Sequence, residues 1–515
     1  MSRPGPNLPK LKGWYKDSGI FYTAGLLIVG AWTLLRFFSV ASTYDLVTQQ
    51  LVARSWLHGN FGAISFGTTN YIFKLIFLYI PADLLPGSPR AKLIGLTLLI
   101  NFATFVLIYK LLEKILAQFG IHARNYLRIT MLWLAAIAGS VFWIQYANSR
   151  NLEVAGGLLL IYLSLRFLKK PTWRLAAGMS LFAACLFFDD NLQFYMAALP
   201  VLLYGIIFCA RKWRVPAYLA LVLGAGFLGS QLLFWLSSKL LHIDFTASNS
   251  FVHHQSLAQI VRAVPTAAKT TLTLFAGTVN PRHLREALNL FFLFSGLLLF
   301  IWASFKRFIP RRLLALVAIY YVCNEAVYII SGQATTGNNA RYLIMLAPIT
   351  ILAIASLGKV LSKNYLAYVG ACLLILANVL AIGSDLSADW RIQPPRDEHL
   401  FSLARYAKQT NSSVIYASMD TALPLSYYQY APMTKFVALA CAQPRLQLAR
   451  SVPPISLPSR ADTAIILDGK SINNVPSVCN ETAIANQLGQ PTAVKQLDDG
   501  SEVLIYPAAV LESLK

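Results

Sequence analysis

Long apolar runs dominate this chain and restrict its fold more than any other feature. A helix needs about 20 mostly apolar residues to cross a membrane, and the sequence contains eleven candidate spans. They lie near 20–40, 91–110, 129–146, 154–168, 172–188, 193–210, 215–236, 287–305, 312–331, 341–358 and 364–384. Only 13% of the residues are charged, about half the share in soluble proteins. We therefore expect a polytopic α-helical membrane protein with about 11 transmembrane helices, and we exclude soluble, disordered and fibrous classes.

A twelfth apolar run, Tyr71–Leu85, is too short and too interrupted to be a span. It contains Lys74, Pro81 and Asp83, and Pro86 follows it. A helix with these interruptions is better suited to the membrane surface. The sequence therefore predicts a surface helix here.

The charge distribution predicts the topology. In a soluble chain a net charge of +22 would suggest nucleic acid. With the N-terminus inside and each span crossing once, however, the inside segments hold 21 of the 44 basic residues and two of the 22 acids. These segments are the N-terminal tail, 110–130, 166–174, 211–214, 306–312 and 359–363. The positive-inside rule then predicts a multi-pass plasma (inner) membrane protein with a cytoplasmic N-terminus, and no nucleic-acid partner.

The composition changes after the last predicted span. Residues 385–515 hold 11 basic and 12 acidic residues, and their apolar runs are short and β-like. These runs are Ser413–Ala417, Lys435–Leu439, Thr463–Leu467 and Glu502–Tyr506, preceded by a predicted helix Glu398–Lys408. We expect a small extracytoplasmic α/β domain, in which Cys441 and Cys479 form a disulfide only if the compartment is oxidising.

Three parts follow from these patterns. Residues 1–19 are expected to be a cytoplasmic tail and residues 20–384 a transmembrane domain, followed by the 385–515 domain. The transmembrane domain has two long outer loops, 41–90 and 237–286.

Acidic residues are rare before residue 385, and several lie at predicted outer ends of spans. Asp45 follows the first span and is placed to take a proton from a hydroxyl group, although it also suits a helix cap. Glu153 follows Arg150 by three residues, a spacing that allows the two to pair on a helix or Glu153 to bind a sugar hydroxyl or a metal. Asp189 and Asp190 are adjacent, which is costly unless they are solvated, paired or metal-bound.

Basic and amide side chains supply candidates for anion binding. The outer loop 237–286 carries His253, His254 and Arg282 and is suited to a lipid phosphate. Arg341, with Asn339 beside it, opens the tenth span, where free N–H groups and a forked guanidinium attract phosphate. A snorkelling arginine is the ordinary alternative.

Two further features complete the candidates. Glu325 lies within a span, and a buried intramembrane acid is a functional hypothesis by default. No CxxC or Cys/His metal spacing occurs in the sequence.

The layout resembles the GT-C superfamily of membrane glycosyltransferases, specifically the prokaryotic protein O-mannosyltransferase and aminoarabinose transferase type. Three local features of the sequence support this resemblance. They are Asp45 with the stretch Ala53…His58-Gly59, the predicted surface helix ending in Tyr79-Ile80-Pro81, and the stretch 339–348, which reads NARYLIMLAP. The order of these features, the odd span number and the outer C-terminal domain match that superfamily. Two departures are the absence of an acidic pair at Asp45 and of a Lys-Pro step before the surface helix.

The resemblance implies an inverting transferase that uses a polyprenyl-phosphate-sugar donor. Asp45 would be the catalytic base, and its acceptor would be a hydroxyl of a lipid, glycan or protein. The substrate-binding candidates are Arg54, Arg150, Glu153, Asn339 and Arg341, with Asp189, Asp190, His253, His254 and Arg282 as secondary ones. The resemblance implies no certain cofactor and leaves divalent-metal dependence open. Membrane lipids are the remaining expected partner.

Two rival functions remain. A lipid-linked oligosaccharide ligase or polymerase would use the basic loop 237–286. A lipid or sugar transporter or flippase would show inverted repeats and midplane sites, and we find no repeat. The position of the acids near the outer ends favours outer-face chemistry over transport.

Overall fold

The structure is a computed structural model, and it describes most of the helices and the C-terminal sheet. The described residues are 18–39, 44–59, 72–137, 151–209, 213–241, 256–276, 284–331, 343–361, 365–392, 398–410, 412, 414–428, 434–442, 445–448, 463–467, 481–498 and 502–507.

Helices account for almost all of the described residues before residue 393. They are α1 (Ser18–Ser39), α2 (Tyr44–Leu57), α3 (Ile72–Lys74), a π-helical turn (Leu75–Tyr79), α4 (Ile80–Leu84), α5 (Pro89–Gln118), α6 (Arg124–Ile137), α7 (Asn151–Lys169), α8 (Trp173–Asp189), a second π-helical turn (Phe194–Ala198), α9 (Leu199–Cys209), α10 (Arg214–Leu241), α11 (Leu257–Ala276), α12 (Leu284–Phe305), α13 (Arg311–Ile330), α14 (Leu346–Ser356), α15 (Gly358–Leu361) and α16 (Tyr365–Ile392).

Five described helices are long and apolar enough to cross a membrane, namely α5, α7, α10, α12 and α13. Every predicted span coincides at least in part with a helix. Because the remaining helices are shorter or less apolar over their described length, the predicted number of eleven spans stays a prediction.

Three helices depart from the predicted boundaries. Helix α5 continues to Gln118, through part of the predicted inside segment 110–130, because its apolar face still packs against neighbouring helices. The outer loop 41–90 contains α2. The outer loop 237–286 contains α11, whose small and apolar side chains join the main core.

The predicted surface helix is present as a helical run over 72–84, here called the 72–84 helix (α3, the first π-helical turn and α4). Its inner face is buried against α2, α5 and α8 through Leu75 and Tyr79. Its outer face leaves Phe77 and Leu84 largely exposed. This division into one packed and one exposed apolar face is the pattern expected of a helix at a membrane surface.

The C-terminal residues form a six-stranded mixed sheet with the order β3-β2-β1-β4-β6-β5. Its elements are α17 (Glu398–Thr410), β1 (Val414–Ser418), α18 (Met419–Tyr428), β2 (Lys435–Ala442), β3 (Arg445–Leu448), β4 (Thr463–Leu467), α19 (Glu481–Leu488), β5 (Ala493–Gln496) and β6 (Glu502–Tyr506). Strand β1 runs parallel to both β2 and β4, and the outer pairs are antiparallel. The four predicted strands and α17 are therefore found, whereas β3, β5, α18 and α19 lacked a clear sequence signal.

The core of this sheet is shared with the helices. Val47 of α2 and Leu93 of α5 are fully buried in the same apolar cluster as Leu400, Tyr427 and Val503. The predicted boundary near residue 385 stays a prediction: helix α16 continues through it to Ile392, and the packing crosses it.

Helix α10 approaches α8 closely at two glycines, Gly226 and Gly229. A Cβ atom on Gly226 would lie 2.6 Å from the Cβ of Ala183 and 3.1 Å from the carbonyl oxygen of Ser180. Gly224, two residues earlier in α10, has open space at the same position. A Cβ atom on Gly229 would lie 2.9 Å from the Cβ of Ala184. Gly226 and Gly229 therefore permit this approach, and Gly224 does not contribute to it.

Candidate functional site

A buried ion pair joins the 72–84 helix to the start of α7. The Lys74 ammonium contacts the Glu153 carboxylate, and both side chains are almost completely buried, with 6% and 2% exposed. Lys74 ends α3, and Glu153 lies in the first turn of α7. A buried charge persists only with a partner, so these two residues fix the 72–84 helix against α7.

Two more carboxylates lie in the same place. Asp189 ends α8, and its Oδ1 accepts a hydrogen bond from the backbone N–H of Phe73 at 3.2 Å. Asp190 is fully buried, and its Oδ1 accepts from the N–H of Leu192 at 3.1 Å. The Nε2 of Gln193 donates to Asp190 Oδ2 at 3.4 Å. The two adjacent carboxylates are thus both buried, and they accept hydrogen bonds from different groups. They do not lie in a solvated turn.

The four side chains form an electrostatic unit, here called the Lys74 cluster (Lys74, Glu153, Asp189 and Asp190). Burial raises the pKa of the Asp189 carboxyl above its usual value; the Lys74 ammonium opposes this shift, and the Glu153 carboxylate adds to it. Three carboxyls share this place with one ammonium, so the cluster is suited to hold a proton or a polar ligand.

Polar atoms around the cluster lack partners among the described residues. Glu153 Oε2, Asn151 Oδ1, Asn191 Oδ1 and Gln193 Oε1 are buried and accept no hydrogen bond from these parts of the chain. Buried polar atoms are nearly always paired in proteins, with water or a ligand if not with the chain. The group therefore marks a place for bound polar atoms inside an otherwise apolar bundle.

A hydrogen-bond chain fixes the first residue of α7. Asn151 Nδ2 donates to Asn101 Oδ1 at 2.8 Å, and Asn101 Nδ2 donates to Thr33 Oγ1 at 2.8 Å. All three side chains are fully buried. This chain links α1, α5 and α7 and holds the helix end that carries Glu153.

A glycine in α7, one turn after Glu153, allows neighbouring side chains to approach the helix closely. A Cβ atom on Gly157 would lie 2.7 Å from Gln193 Oε1 and 3.2 Å from Met345 Cε. The start of α7, the connection after α8 and the residues before α14 therefore meet at this position.

Arg54 connects α2 to the C-terminal part. Its guanidinium pairs with both carboxylate oxygens of Asp83, at 3.3 and 3.4 Å, and its Nη1 donates to the Tyr427 carbonyl at 3.2 Å. The guanidinium also lies 5.1 Å from the centre of the Tyr427 ring, and the Tyr427 hydroxyl donates to the Pro89 carbonyl at 2.9 Å. These contacts give Arg54 a connecting role, and its predicted part in substrate binding stays a prediction.

The structure unites some of the predicted site residues. Glu153, Asp189 and Asp190 came from separate predicted turns and lie in one cluster. Asp45 lies in the first turn of α2, the helix that packs against the 72–84 helix. The remaining candidates lie outside the described residues: Arg150, His253, His254, Arg282, Asn339 and Arg341. Cys479 is also outside them, so its pairing with Cys441 stays a prediction.

Lys74 is the site residue that sequence reasoning missed. In the sequence it is only an interruption of an apolar run, and its partner lies far along the chain. A lysine in an apolar run, opposite an acid at a helix end, is the signal that points to such a pair. Among the described residues, no three His, Cys, Asp or Glu side chains are close enough to hold a metal ion.

Glu325 is placed apart from these contacts. It accepts a hydrogen bond from the Thr271 hydroxyl of α11. This bond gives the half-buried acid a partner, and it connects α11 to α13.

Comparison with known proteins identifies the fold. No protein-family model and no curated protein sequence matches the chain. Among solved structures, the chain is similar to ArnT from Cupriavidus metallidurans bound to undecaprenyl phosphate, with a TM-score of 0.54 and 13% identity over 97% of this chain and 99% of that one. ArnT is an aminoarabinose transferase with the GT-C fold. The predicted GT-C membrane fold is thereby confirmed.

Proposed function

We propose that this protein is a membrane glycosyltransferase that moves a sugar from a polyprenyl-phosphate donor to an acceptor hydroxyl on the extracytoplasmic face. The observation that carries the proposal is the Lys74 cluster at the ends of α3, α7 and α8, beside buried oxygens of Asn151, Asn191 and Gln193 that have no partner in the described part of the chain. In a membrane bundle, buried charged groups mark sites of function. The structural similarity to ArnT bound to undecaprenyl phosphate supports a prenyl-linked donor.

The chemistry is a single displacement. Asp45 takes the proton of the acceptor hydroxyl as its oxygen attacks the anomeric carbon of the sugar. The bond between that carbon and the phosphate oxygen breaks, and the electron pair leaves with the polyprenyl phosphate. The configuration at the anomeric carbon inverts.

The residues in and around the cluster bind the phosphate and the sugar of the donor. Lys74 is positioned to stabilise negative charge on the leaving phosphate, and Arg341 and Arg150 are further cationic candidates for the same group. The Glu153 carboxylate and the buried side-chain oxygens of Asn191 and Gln193 accept hydrogen bonds from the sugar hydroxyls. The apolar surfaces of the helices accommodate the prenyl chain.

Reconstitution with a defined donor tests this function. Purified full-length protein in liposomes would receive a polyprenyl-phosphate-sugar and an acceptor extract from cells lacking the gene. The expected products are free polyprenyl phosphate and a glycosylated acceptor, both measured by mass spectrometry. Asp45→Asn should lower the rate by about 10²–10⁴-fold, the usual contribution of a general base.

Asp498→Asn is the matched control, because Asp498 is exposed on the C-terminal sheet. It should transfer at the wild-type rate. Unchanged transfer by Asp45→Asn would remove Asp45 from the mechanism. Movement of the donor across the bilayer without release of polyprenyl phosphate would instead identify a flippase, and release of a lipid diphosphate would identify a ligase or polymerase.

A further inference from the structure

A cavity lies between the end of α5 and the start of α6. Its volume is about 400 Å³, within the range of roughly 300–1,000 Å³ for small-ligand pockets. Its floor is apolar and its rim is charged. The side chains that matter for binding are Glu113, Lys114, His122 and Arg124 at the rim, and Ile121 and Leu127 in the floor.

Cations outnumber anions around this cavity. Lys114 is exposed at the rim and lies 5.6 Å from the ring centre of Tyr162. Arg124 is exposed and pairs with Glu113, the one acid among the described residues that line the cavity. Lys110 lies one turn before Lys114 on α5 and is also exposed.

Two further cations extend this surface. Arg128, one turn after Arg124 on α6, reaches the Tyr109 hydroxyl at 3.4 Å. Lys169 donates to the Gln118 carbonyl at the end of α5. These two residues do not line the cavity, but they add positive charge near it. Together with the partial positive charge of the α6 N-terminus, this charge suits the cavity to a phosphate group.

The cavity lies at the end of α5 remote from the Lys74 cluster. Residues 89 to 113 of α5 span about 36 Å at 1.5 Å per residue, more than the roughly 30 Å hydrocarbon core of a bilayer. The start of α5 contacts the C-terminal part through Pro89. The cavity is therefore near the opposite membrane surface, which the charge distribution predicts to be cytoplasmic.

We propose that this cavity binds the phosphate headgroup of an anionic phospholipid from that leaflet. The charged rim would hold the phosphate, and the apolar floor would contact the glycerol and the first carbons of an acyl chain. Basic pockets between helices at this depth are suited to anionic headgroups. The N-terminal segment 1–17 is a poor occupant, because it carries four basic residues and one acid.

A lipid titration of the full-length protein in detergent tests the proposal. Native mass spectrometry would count bound phosphatidylglycerol, with phosphatidylcholine as the zwitterionic comparison. The double variant Lys114→Gln/Arg124→Gln should bind phosphatidylglycerol about 25-fold more weakly, from the usual contribution of each surface cation. Glu113→Gln should bind it more tightly, because this change releases Arg124 from its ion pair.

The matched control removes two exposed cations from the same membrane side, Arg174→Gln/Lys306→Gln. It should bind both lipids as the wild type does. Ala117→Leu narrows the cavity without changing its charge, and it should also weaken phosphatidylglycerol binding. Because this residue is exposed, the variant is expected to fold.

Several results would overturn the proposal. Equal phosphatidylglycerol binding by the wild type and the Lys114→Gln/Arg124→Gln variant would remove the rim from the site. Equal affinity of the wild type for the two lipids would show that the cavity does not recognise the charge of the headgroup. Displacement of phosphatidylglycerol by millimolar inorganic phosphate would identify a site for free anions, so the lipid assignment would fail; we expect no displacement.

Discussion

The buried Lys74–Glu153 pair makes the sharpest prediction. Lys74→Met keeps the length and apolar stem of the side chain but leaves Glu153 beside two further carboxyls with no ammonium. Breaking a buried pair by removing one partner costs about 3–5 kcal/mol. We therefore expect Lys74→Met to lower the free energy of unfolding by about that amount.

The reciprocal change should cost less. Glu153→Gln leaves Lys74 with Asp189, whose charge already interacts with the ammonium. We expect a loss of about 1–3 kcal/mol. The double variant Lys74→Met/Glu153→Leu removes both charges and should recover at least about half of the Lys74→Met loss, since apolar replacements of buried pairs are often neutral.

The pH dependence gives a second measure of the same pair. Without Lys74, the folded-state pKa of Asp189 should rise further above the value of about 4 in the unfolded chain. The folded state then binds more protons than the unfolded state between these two values, so stability falls as the pH rises through this window. The Lys74→Met deficit should therefore be larger near pH 8 than near pH 5.

Denaturant unfolding in detergent micelles, followed by tryptophan fluorescence, would measure these changes. Lys306→Met is the control, because Lys306 is exposed and the change should stay within about 0.5 kcal/mol of wild type. If Lys74→Met also stayed within that margin at both pH values, the pair would not be a buried, charged contact, and the reasoning would be refuted.

Other contacts lead to smaller expectations. Gly226→Ala should destabilise the protein by about 1–3 kcal/mol in the same unfolding assay, because its Cβ would lie 2.6 Å from a side-chain atom of α8, whereas Gly224→Ala in the same helix should be neutral or stabilising. Arg54→Gln should increase proteolysis of the C-terminal sheet in limited digestion; equal cleavage would contradict its connecting role. Tyr427→Phe removes one hydrogen bond and should cost about 1 kcal/mol. Asn101→Leu breaks two buried bonds and should lower transfer as well as stability, so unaltered transfer would separate this residue from the site.

The sequence predicted those parts of the fold that depend on local pattern. Apolar runs mark helices because a bilayer requires internally satisfied backbone groups. Short β-like apolar runs marked β4 at Thr463–Leu467 and β6 at Glu502–Tyr506 with their observed bounds. By contrast, β3 and β5 are short edge strands, which depend on their neighbours more than on their own residues.

The candidate site was predicted in pieces. Glu153 and Asp189 were recognised because acids are rare in such a chain, but nothing local indicated that they would meet. Lys74 was missed because its role depends on a partner far along the sequence. The assignment of Arg54 to the substrate stays a prediction. Its observed partners are Asp83 and the backbone of Tyr427, and no sequence pattern reveals contacts so distant.

The core that the helices share with the C-terminal sheet has a consequence for biosynthesis. Leu93 enters early in the chain, but Val503, which lies in the same apolar cluster, is made about 410 residues later. At roughly 5–20 residues per second, synthesis of this interval takes roughly 20–80 s. During that time the apolar side chains of Val47 and Leu93 are not yet buried by Val503. The helices up to α16 are therefore made before the C-terminal part of this core. If translation stops before β6, the product carries the helices but lacks a complete core, and it is a substrate for quality control.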